Sequence, residues 1–387
     1  MNIYILGAAR TPIASFLGGL SSIKSTKLGG LAIQEAVKRS GISPENIDEV
    51  IMGQVVQAGV GQSPARQATL QAGLPESVPA TTINKVCGSG MKSLIMAAQS
   101  IKAGDNKVVV AGGMENMSLA PHLLPYSRMG FKFGETKMLD SMQWDGLTDA
   151  YCELPMGNCA ELCVEKYGFT REEMDQYSVR SFERAIKAQK EGVFNNEIVP
   201  VEILDRNGPT FIREDEGPSK VRFDKIPTLK PAFKKNGTIT AANASSINDG
   251  ASAIVLAGED FADNAEFKIL AYASHAQKPE WFTTAPVESM KKCLVRANLS
   301  VNEIDLFEIN EAFAVVAMSA IKDLELNESK VNIYGSAISL GHPIGVSGSR
   351  IIMALMTGLK RENKKIGMAS ICIGGGEALS IIIERIK

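Results

Sequence analysis

Short apolar runs and amphipathic stretches alternate along the first third of the chain. Asn2–Leu6 reads as a strand. Leu28–Ser40 carries apolar residues at helical spacing and stops at Gly41, a residue suited to a left-handed C-terminal cap. Glu49–Val56 and Thr81–Val86 predict strands, Gly88–Ala103 predicts a helix ended by Gly104, and Lys107–Ala111 predicts a buried strand. The same order returns near the C-terminus. Lys268–Ala273 reads as a strand, Val287–Ala297 as a helix, Ile304–Ile309 as a strand, Ser347–Leu359 as a helix and Ile366–Ile371 as a strand. Alternation of this kind predicts an α/β fold with helices layered on sheet.

The two regions also match residue by residue. Gly41–Asp48 reads against Asn298–Asp305 at an offset of 257 positions. Ser89-Gly90-Met91-Lys92 against Ser347-Gly348-Ser349-Arg350, and Lys107-Val108 against Lys365-Ile366, follow at 258. A faint duplication of this length predicts two similarly folded halves. It makes Cys87 and His342 near-counterparts, each just ahead of an equivalent helix start. Between the halves, roughly Ser118 to Ala244, the pattern breaks. This stretch holds loop-like His122–Trp144, a helix near Arg171–Glu191 introduced by Thr170-Arg171-Glu172-Glu173, and the charged segment Arg213–Lys225. It reads as an inserted loop domain over the active site. Asn248-Asp249-Gly250 then leads into Ala253–Leu256, a strand expected to return to the first sheet.

Composition narrows the function class. A length of 387 residues fits two or three domains of about 100–200 residues each. With 45% hydrophobic residues, 22% charged and a net charge of −2, the chain offers no electrostatic case for nucleic acid or a membrane surface. No signal-like segment and no apolar run of membrane-spanning length is apparent, and the last residues, Glu384-Arg385-Ile386-Lys387, are not a peroxisomal address. Six cysteines lack the density of a disulfide framework, which suits a cytoplasmic protein with reduced thiols. Cys159 and Cys163 could share a helix face, but no histidine lies near them, and no zinc site is expected there.

Four motifs carry candidate chemistry. Cys87, in Asn84-Lys85-Val86-Cys87-Gly88-Ser89-Gly90, stands where a strand passes into a helix. The helix dipole there would lower its pKa, and the small residues after it would admit a substrate. It reads either as a nucleophile or as a buried structural thiol. His342 lies in the glycine-rich run Gly335–Gly348, as a base for a neighbouring thiol or as a bystander in a phosphate-cradling loop. Cys372 precedes Gly374-Gly375-Gly376, a turn able to present backbone N–H groups to an oxyanion, or merely a strand-end turn beside an inert thiol. Asn310, in Asn310-Glu311-Ala312-Phe313, sits at a strand end where α/β ligands bind, or serves as a helix cap.

Taken together the motifs resemble the thiolases. The resemblance rests on Gly61–Ala68, Asn84–Gly90, Gly112–Ser118, Asn243-Ala244-Ser245 with Asn248-Asp249-Gly250, Asn310–Phe313, Gly341–Gly348 and Cys372–Gly376, in that order and nearly end to end. It implies a five-layered α-β-α-β-α fold. The first half would span 1–118 and 245–267, the loop domain, which also binds CoA, 119–244, and the second half 268–387. It implies an acetyl-CoA C-acetyltransferase, with a broad-chain degradative 3-ketoacyl-CoA thiolase as the competing reading. Cys87 would be the nucleophile, His342 its activator and Cys372 the acid/base. Asn310 would hold a water in one oxyanion hole, and the N–H groups of Cys87 and Gly374 would form the other. Ser245, Met156, Ala312 and Phe313 would line the substrate site. Its ligands would be acetyl-CoA, other acyl-CoA and CoA, with no cofactor, metal or nucleic acid, and the protein would assemble as dimers or tetramers.

The chain departs from the family pattern at several points. Tyr334 and Ser336 stand where Asn and Gly are usual, and Glu377 and Ala378 where Met and Gly are usual. Glu377 would raise the pKa of a nearby thiol if its carboxylate faced inward. Pro155-Met156-Gly157 replaces a His-Met-Gly element, which leans toward the broad-chain reading. Pro218 and Arg222 replace an Arg and a Thr, so Lys220, Arg222 or Lys225 is expected to meet the CoA phosphates. A decarboxylating condensing enzyme would need a second histidine where Cys372 stands. A binding-only relative would have lost one of Cys87, His342 and Cys372, and all three are present.

Overall fold

The computed structural model describes residues 1–205 and 208–387. Nine strands form its main sheet: β1 (Ile3–Arg10), β2 (Glu49–Gly53), β3 (Ala80–Ile83), β4 (Val108–Asn116), β5 (Asn248–Ala257), β6 (Phe267–Ala276), β7 (Leu306–Ile309), β8 (Ile366–Ile373) and β9 (Glu377–Arg385). The order across the sheet is β7-β8-β9-β6-β1-β5-β4-β2-β3, and the short strand Ala14–Ser15 adds to β5. Read outward from β1 the neighbours are β5, β4 and β2. Read outward from β6 they are β9, β8 and β7. Each half therefore repeats one strand order, and the halves meet where β1 pairs antiparallel with β6 through Ile3↔Ile269, Tyr4↔Lys268 and Ile5↔Phe267. A bridge between Phe307 and Val331 stands where the second half would carry the equivalent of β3.

The duplication extends to single hydrogen bonds. Asp48 Oδ2 accepts from the N–H groups of Lys107 and Val108, and Asp305 Oδ2 accepts from those of Lys365 and Ile366. Each aspartate fixes the entry of a central strand by satisfying backbone donors the ladder leaves free.

Helices cover both faces. Helix α1 (Ser25–Ser40) buries Leu28, Ala32, Ile33, Ala36 and Val37 at helical spacing. It ends with Gly41 at φ 69° and carries Lys38 and Arg39 in its last turn, where cations suit the dipole. With α2 (Pro64–Gln71) it packs on the outer face of the first half. Helices α3 (Ser89–Ala103) and α8 (Ser347–Arg361) lie between the halves, in one apolar core with residues from β2, β4, β5, β8 and β9. Helices α6 (Ala285–Ala297) and α7 (Ala314–Asp323) cover the second half, beside α4 (Met156–Tyr167) and α5 (Arg171–Lys190). The layers run helix, strand, helix, strand, helix. Helix α5 starts with a full capping box, Thr170 and Glu173 bonding each other's backbone N–H.

Two strands are longer than the sequence pattern suggests. β4 continues past Ala111 to Asn116, and β5 begins at Asn248 rather than Ala253. The two pair along Asp249↔Asn116 to Ala257↔Val108, so the glycines and polar residues of Gly112–Asn116 are carried by ladder hydrogen bonds that local pattern does not reveal.

Candidate active site

The two central helices meet at their N-termini through glycines. A Cβ on Gly90 would lie 2.9 Å from Ser349 N, and one on Gly348 only 2.4 Å from Met91 N. Side chains at these counterpart positions would drive the helices apart. This contact brings the loop before α3, with Cys87, and the loop before α8, with His342, onto a single cavity of about 380 Å³.

Cys87 is held by a tight turn. Asn84 Oδ1 accepts the N–H of Val86 (2.9 Å), Ser89 Oγ accepts that of Lys85 (2.8 Å), and the Ser89 hydroxyl donates to the carbonyl of Val86 (2.7 Å). Val86 is forced to φ 45°, a conformation a β-branched residue rarely adopts. The backbone N–H groups of Gly374 and of Cys87 itself lie by the Cys87 sulfur and favour its thiolate. The expected depression of its pKa is not found. Burial outweighs these donors, and with the nearby Glu115 carboxylate opposing ionisation the thiol is pushed up to about 11.

His342 follows Gly341, at φ 105°, where a Cβ would lie 2.5 Å from the Asn248 side chain. Asn248 Oδ1 accepts the N–H of His342 (2.9 Å). His342 Nδ1 pairs with Ser347 Oγ at 2.6 Å, and the Ser347 hydroxyl donates to the carbonyl of Pro343 (3.1 Å). That pattern assigns the proton to Nδ1 and leaves the Nε2 lone pair free. Nε2 is buried without a hydrogen-bond partner, so imidazole and thiol share the cavity without a direct hydrogen bond in the free protein. Burial, with Arg350 adding like charge, lowers the His342 pKa to about 3 and keeps the ring neutral.

Cys372 is fully buried near the end of β8, beneath the cavity. Burial and the adjacent Cys87 push its thiol well above the ordinary range. Asn310 is also fully buried. Its Oδ1 accepts from Arg350 Nη2 (3.4 Å), and its Nδ2 has no partner. It is not a helix cap: α7 starts at Ala314, and no side chain caps it. Neither Cys372 nor Asn310 is among the residues forming the cavity surface.

Gly374, Met156, Ser245, Ala312 and Phe313 do form that surface. The N–H of Ser245 donates to the carbonyl of Ala312 (2.9 Å) and that of Ala314 to the carbonyl of Asn243 (2.9 Å), which brings these segments together. Leu147, Phe233, Phe282 and Ile344 complete an apolar wall, and residues 146–157 and 232–244 supply one side of it. Among the described residues no lysine or arginine lines the cavity. Lys220 is not among the cavity residues, and its ammonium is bound to Glu216 (2.6 Å). Arg222 and Lys225 are exposed, each 3.8 Å from Asp224.

The other departures also lie off the cavity. Glu377 does not face a thiol: its carboxylate pairs with Lys85 Nζ (2.5 Å), tying the Cys87 loop to the residue after the triple glycine. Tyr334 donates to Glu362 (2.8 Å), and Ser336 accepts from Arg350 Nη2 (3.2 Å). Sequence reasoning missed Glu115, Asn248 and Ser347. Asn248 and Glu115 lay inside quoted motifs, but only the fold shows what they hold.

A thiol and a neutral imidazole on one apolar cavity, with a second thiol buried next to the first, delivered by duplicated α/β halves, define a cysteine-based acyl-transfer architecture. Residues 3–260 match the family model for the thiolase N-terminal domain and residues 264–385 that for the C-terminal domain; the chain belongs to the thiolase family. Among its relatives, acetyl-CoA acetyltransferase 2 of Arabidopsis thaliana is 50% identical over 99% of this chain and 97% of that protein. A probable acetyl-CoA acetyltransferase of Dictyostelium discoideum is 48% identical, covering 100% of this chain and 94% of its own. The crystal structure of the Acat5 thiolase from Ascaris suum in complex with coenzyme A superposes with a TM-score of 0.95 at 44% identity, both chains covered in full. That of the Bacillus anthracis acetyl-CoA acetyltransferase gives 0.97 at 39% identity, covering 100% of this chain and 99% of that one.

Proposed function

We propose that the protein is an acetyl-CoA C-acetyltransferase that joins two acetyl-CoA molecules to acetoacetyl-CoA and CoA, or runs this reaction in reverse. The observation that carries the reading is the convergence of Cys87, His342 and Gly374 on one cavity, with His342 Nε2 left without a hydrogen-bond partner.

In the first half-reaction His342 Nε2 takes the Cys87 proton as the sulfur attacks the acetyl carbonyl. The resulting oxyanion sits against the N–H groups of Cys87 and Gly374, and the CoA sulfur leaves with the proton of the Cys372 thiol, so that Cys372 becomes a thiolate while His342 keeps the Cys87 proton. A thiol near 11 beside an imidazole near 3 is not a resting ion pair, so the proton moves as the acyl group arrives. In the second, Cys372 removes a proton from the methyl group of another acetyl-CoA. The enolate oxygen is met by His342 Nε2–H, which carries the proton taken from Cys87 while Nδ1–H stays on Ser347, and by a water held on Asn310 Nδ2. The enolate carbon attacks the Cys87 thioester, the acetoacetyl product forms, and the departing Cys87 sulfur takes its proton back from His342 Nε2, which restores the neutral ring while Cys372 keeps the methyl proton as a thiol.

Residues 119–244 act as the loop domain that receives the pantetheine arm, and acetyl-CoA, acyl-CoA and CoA are the partners, with no other cofactor. A homo-oligomer working in the cytoplasm in lipid metabolism completes the reading. No helix among the described residues is long and apolar enough to cross a membrane.

Cys372→Ala separates the roles. It should still take an acetyl group on Cys87, seen by mass spectrometry, while condensation falls about 10²–10⁴-fold. Acetyl found on another residue, or normal condensation, would refute the assignment. Comparing kcat/KM for acetoacetyl-CoA and a medium-chain 3-ketoacyl-CoA tests chain length; a medium-chain preference would favour the degradative reading.

A further inference from the structure

The segment that carries Leu147 and Met156 into the cavity wall is a hairpin. The N–H of Met156 donates to the carbonyl of Leu147 (3.0 Å) and that of Asp149 to the carbonyl of Leu154 (2.9 Å). At its tip Asp149 Oδ1 accepts the N–H groups of Tyr151 (3.0 Å) and Cys152 (2.9 Å). This folds the tip back, and Cys152 Sγ comes within 4.0 Å of Cys159 Sγ on α4.

The other carboxylate oxygen, Asp149 Oδ2, has no hydrogen-bond partner, although Asp149 is only 3% exposed. A carboxylate oxygen of Asp149 and the two sulfurs all lie within 4.8 Å of one another. An orphaned buried carboxylate oxygen is costly, and two sulfurs and an oxygen at this spacing are what a tetrahedral metal brings together. Ligands on a Zn²⁺ ion with Zn–S bonds of about 2.3 Å sit about 3.8 Å apart along a tetrahedral edge. Cys159 is buried and fixed on a helix, whereas Cys152 is exposed on the tip, so the fourth position would face solvent. The groups that bear most on Cys159 besides burial are themselves acidic, namely Cys152, Asp149 and Glu280.

We propose that Asp149, Cys152 and Cys159 form a binding site for a thiophilic divalent cation, Zn²⁺ above all, that staples the hairpin tip to α4. Binding releases two protons as both thiols become thiolates, and the metal keeps one exchangeable water. The role is structural: the staple holds the strand of the hairpin that ends in Met156, which packs against Gly374. It is separate from the reading of the reaction, because none of its ligands is Cys87, His342 or Cys372.

The test uses the full chain, reduced and freed of metal, titrated with Co²⁺. Intense sulfur-to-cobalt charge-transfer absorption should appear with one equivalent and vanish on competition with Zn²⁺. It should be lost in Cys152→Ser, a substitution at an exposed position, and in Asp149→Asn should be weakened or lost. It should persist in Cys87→Ala, which excludes the catalytic thiol as the ligand. Zn²⁺ should slow amide hydrogen exchange across residues 150–156 in the native chain but not in Cys152→Ser. Absorption unchanged in Cys152→Ser, absorption lost in Cys87→Ala, or none at all with six thiols titratable would overturn the site. So would a disulfide between Cys152 and Cys159 in protein isolated without reductant and refractory to metal after reduction.

Discussion

The molecule contains the same crossing twice. In one, the loop before α3 meets the end of β8, and the N–H of Gly374 lies by the Cys87 sulfur. In the other, the loop before α8 meets the end of β4, and the N–H of Gly345 donates to Glu115 Oε2 (3.0 Å). The duplication offset of 258 makes Gly345 the counterpart of Cys87, and Gly374 that of Asn116, next to Glu115. At the second crossing the buried Glu115 also accepts the N–H groups of Val55 (3.0 Å) and Val56 (3.2 Å), so its donors are used up by the protein. At the first, the donor meets only a sulfur, and an apolar cavity opens beside it. One scaffold contact is a strut filled by a carboxylate; its twin leaves a backbone donor beside an open cavity, where the proposed reaction would use it.

Breaking the strut should have the largest effect. Glu115→Ala strands three buried backbone N–H groups and should cost about 3–5 kcal/mol in a denaturant titration. Burial raises the Glu115 pKa to about 7, from an ordinary value near 4.5. A carboxyl raised on folding contributes fully below its unfolded pKa and loses that contribution as pH rises through the folded value. Native stability should therefore decline from about pH 5 to beyond 7, and Glu115→Ala should flatten part of that slope. Glu308, raised to about 8 by burial, adds to the same decline and would leave a residual slope. An unchanged slope in Glu115→Ala would show that its proton is not linked to folding.

The glycine contact between the central helices comes next. Gly348→Ala meets backbone at 2.4 Å, whereas Gly90→Ala first meets the Ser349 hydroxyl at 2.7 Å. Overpacking at such a contact costs about 1–3 kcal/mol, with Gly348→Ala the larger. Both should lower kcat by shifting one helix start against the other. The smallest effect is expected from the tie that only the reactive crossing carries, Lys85 to Glu377. Glu377→Gln should change stability by less than about 1 kcal/mol, because the pair is partly exposed. If the tie holds Gly374 against Cys87, kcat should fall without a matching rise in KM, and kinetics indifferent to the substitution would reduce it to a surface ion pair.

Much of this architecture was legible in the chain. The helical periodicity of Leu28–Ser40, the capping box at Thr170 and the repeat joining Gly41–Asp48 to Asn298–Asp305 are local or self-referential signals, and the fold carries all three. What stayed hidden depends on partners far away in sequence. The extension of β4 to Asn116 needs β5, more than 130 residues later. Glu115 reads as a polar residue in a motif until Gly345 arrives from the other half. The Cys87 pKa was misjudged because a helix start is visible in sequence and the desolvation around it is not. The ion pair of Lys220 with Glu216, one helical turn away, did not stand out in the charged segment.

Val86 shows what the reactive turn demands of its neighbours. Glycine would hold φ 45° with little conformational penalty, whereas a valine there stores about 1–3 kcal/mol. Its methyl groups, however, flank Gly374 and form part of the cavity surface next to the sulfur. A folded state that tolerates a tense residue in exchange for a dry wall has put the shielding of its reactive centre ahead of its own robustness.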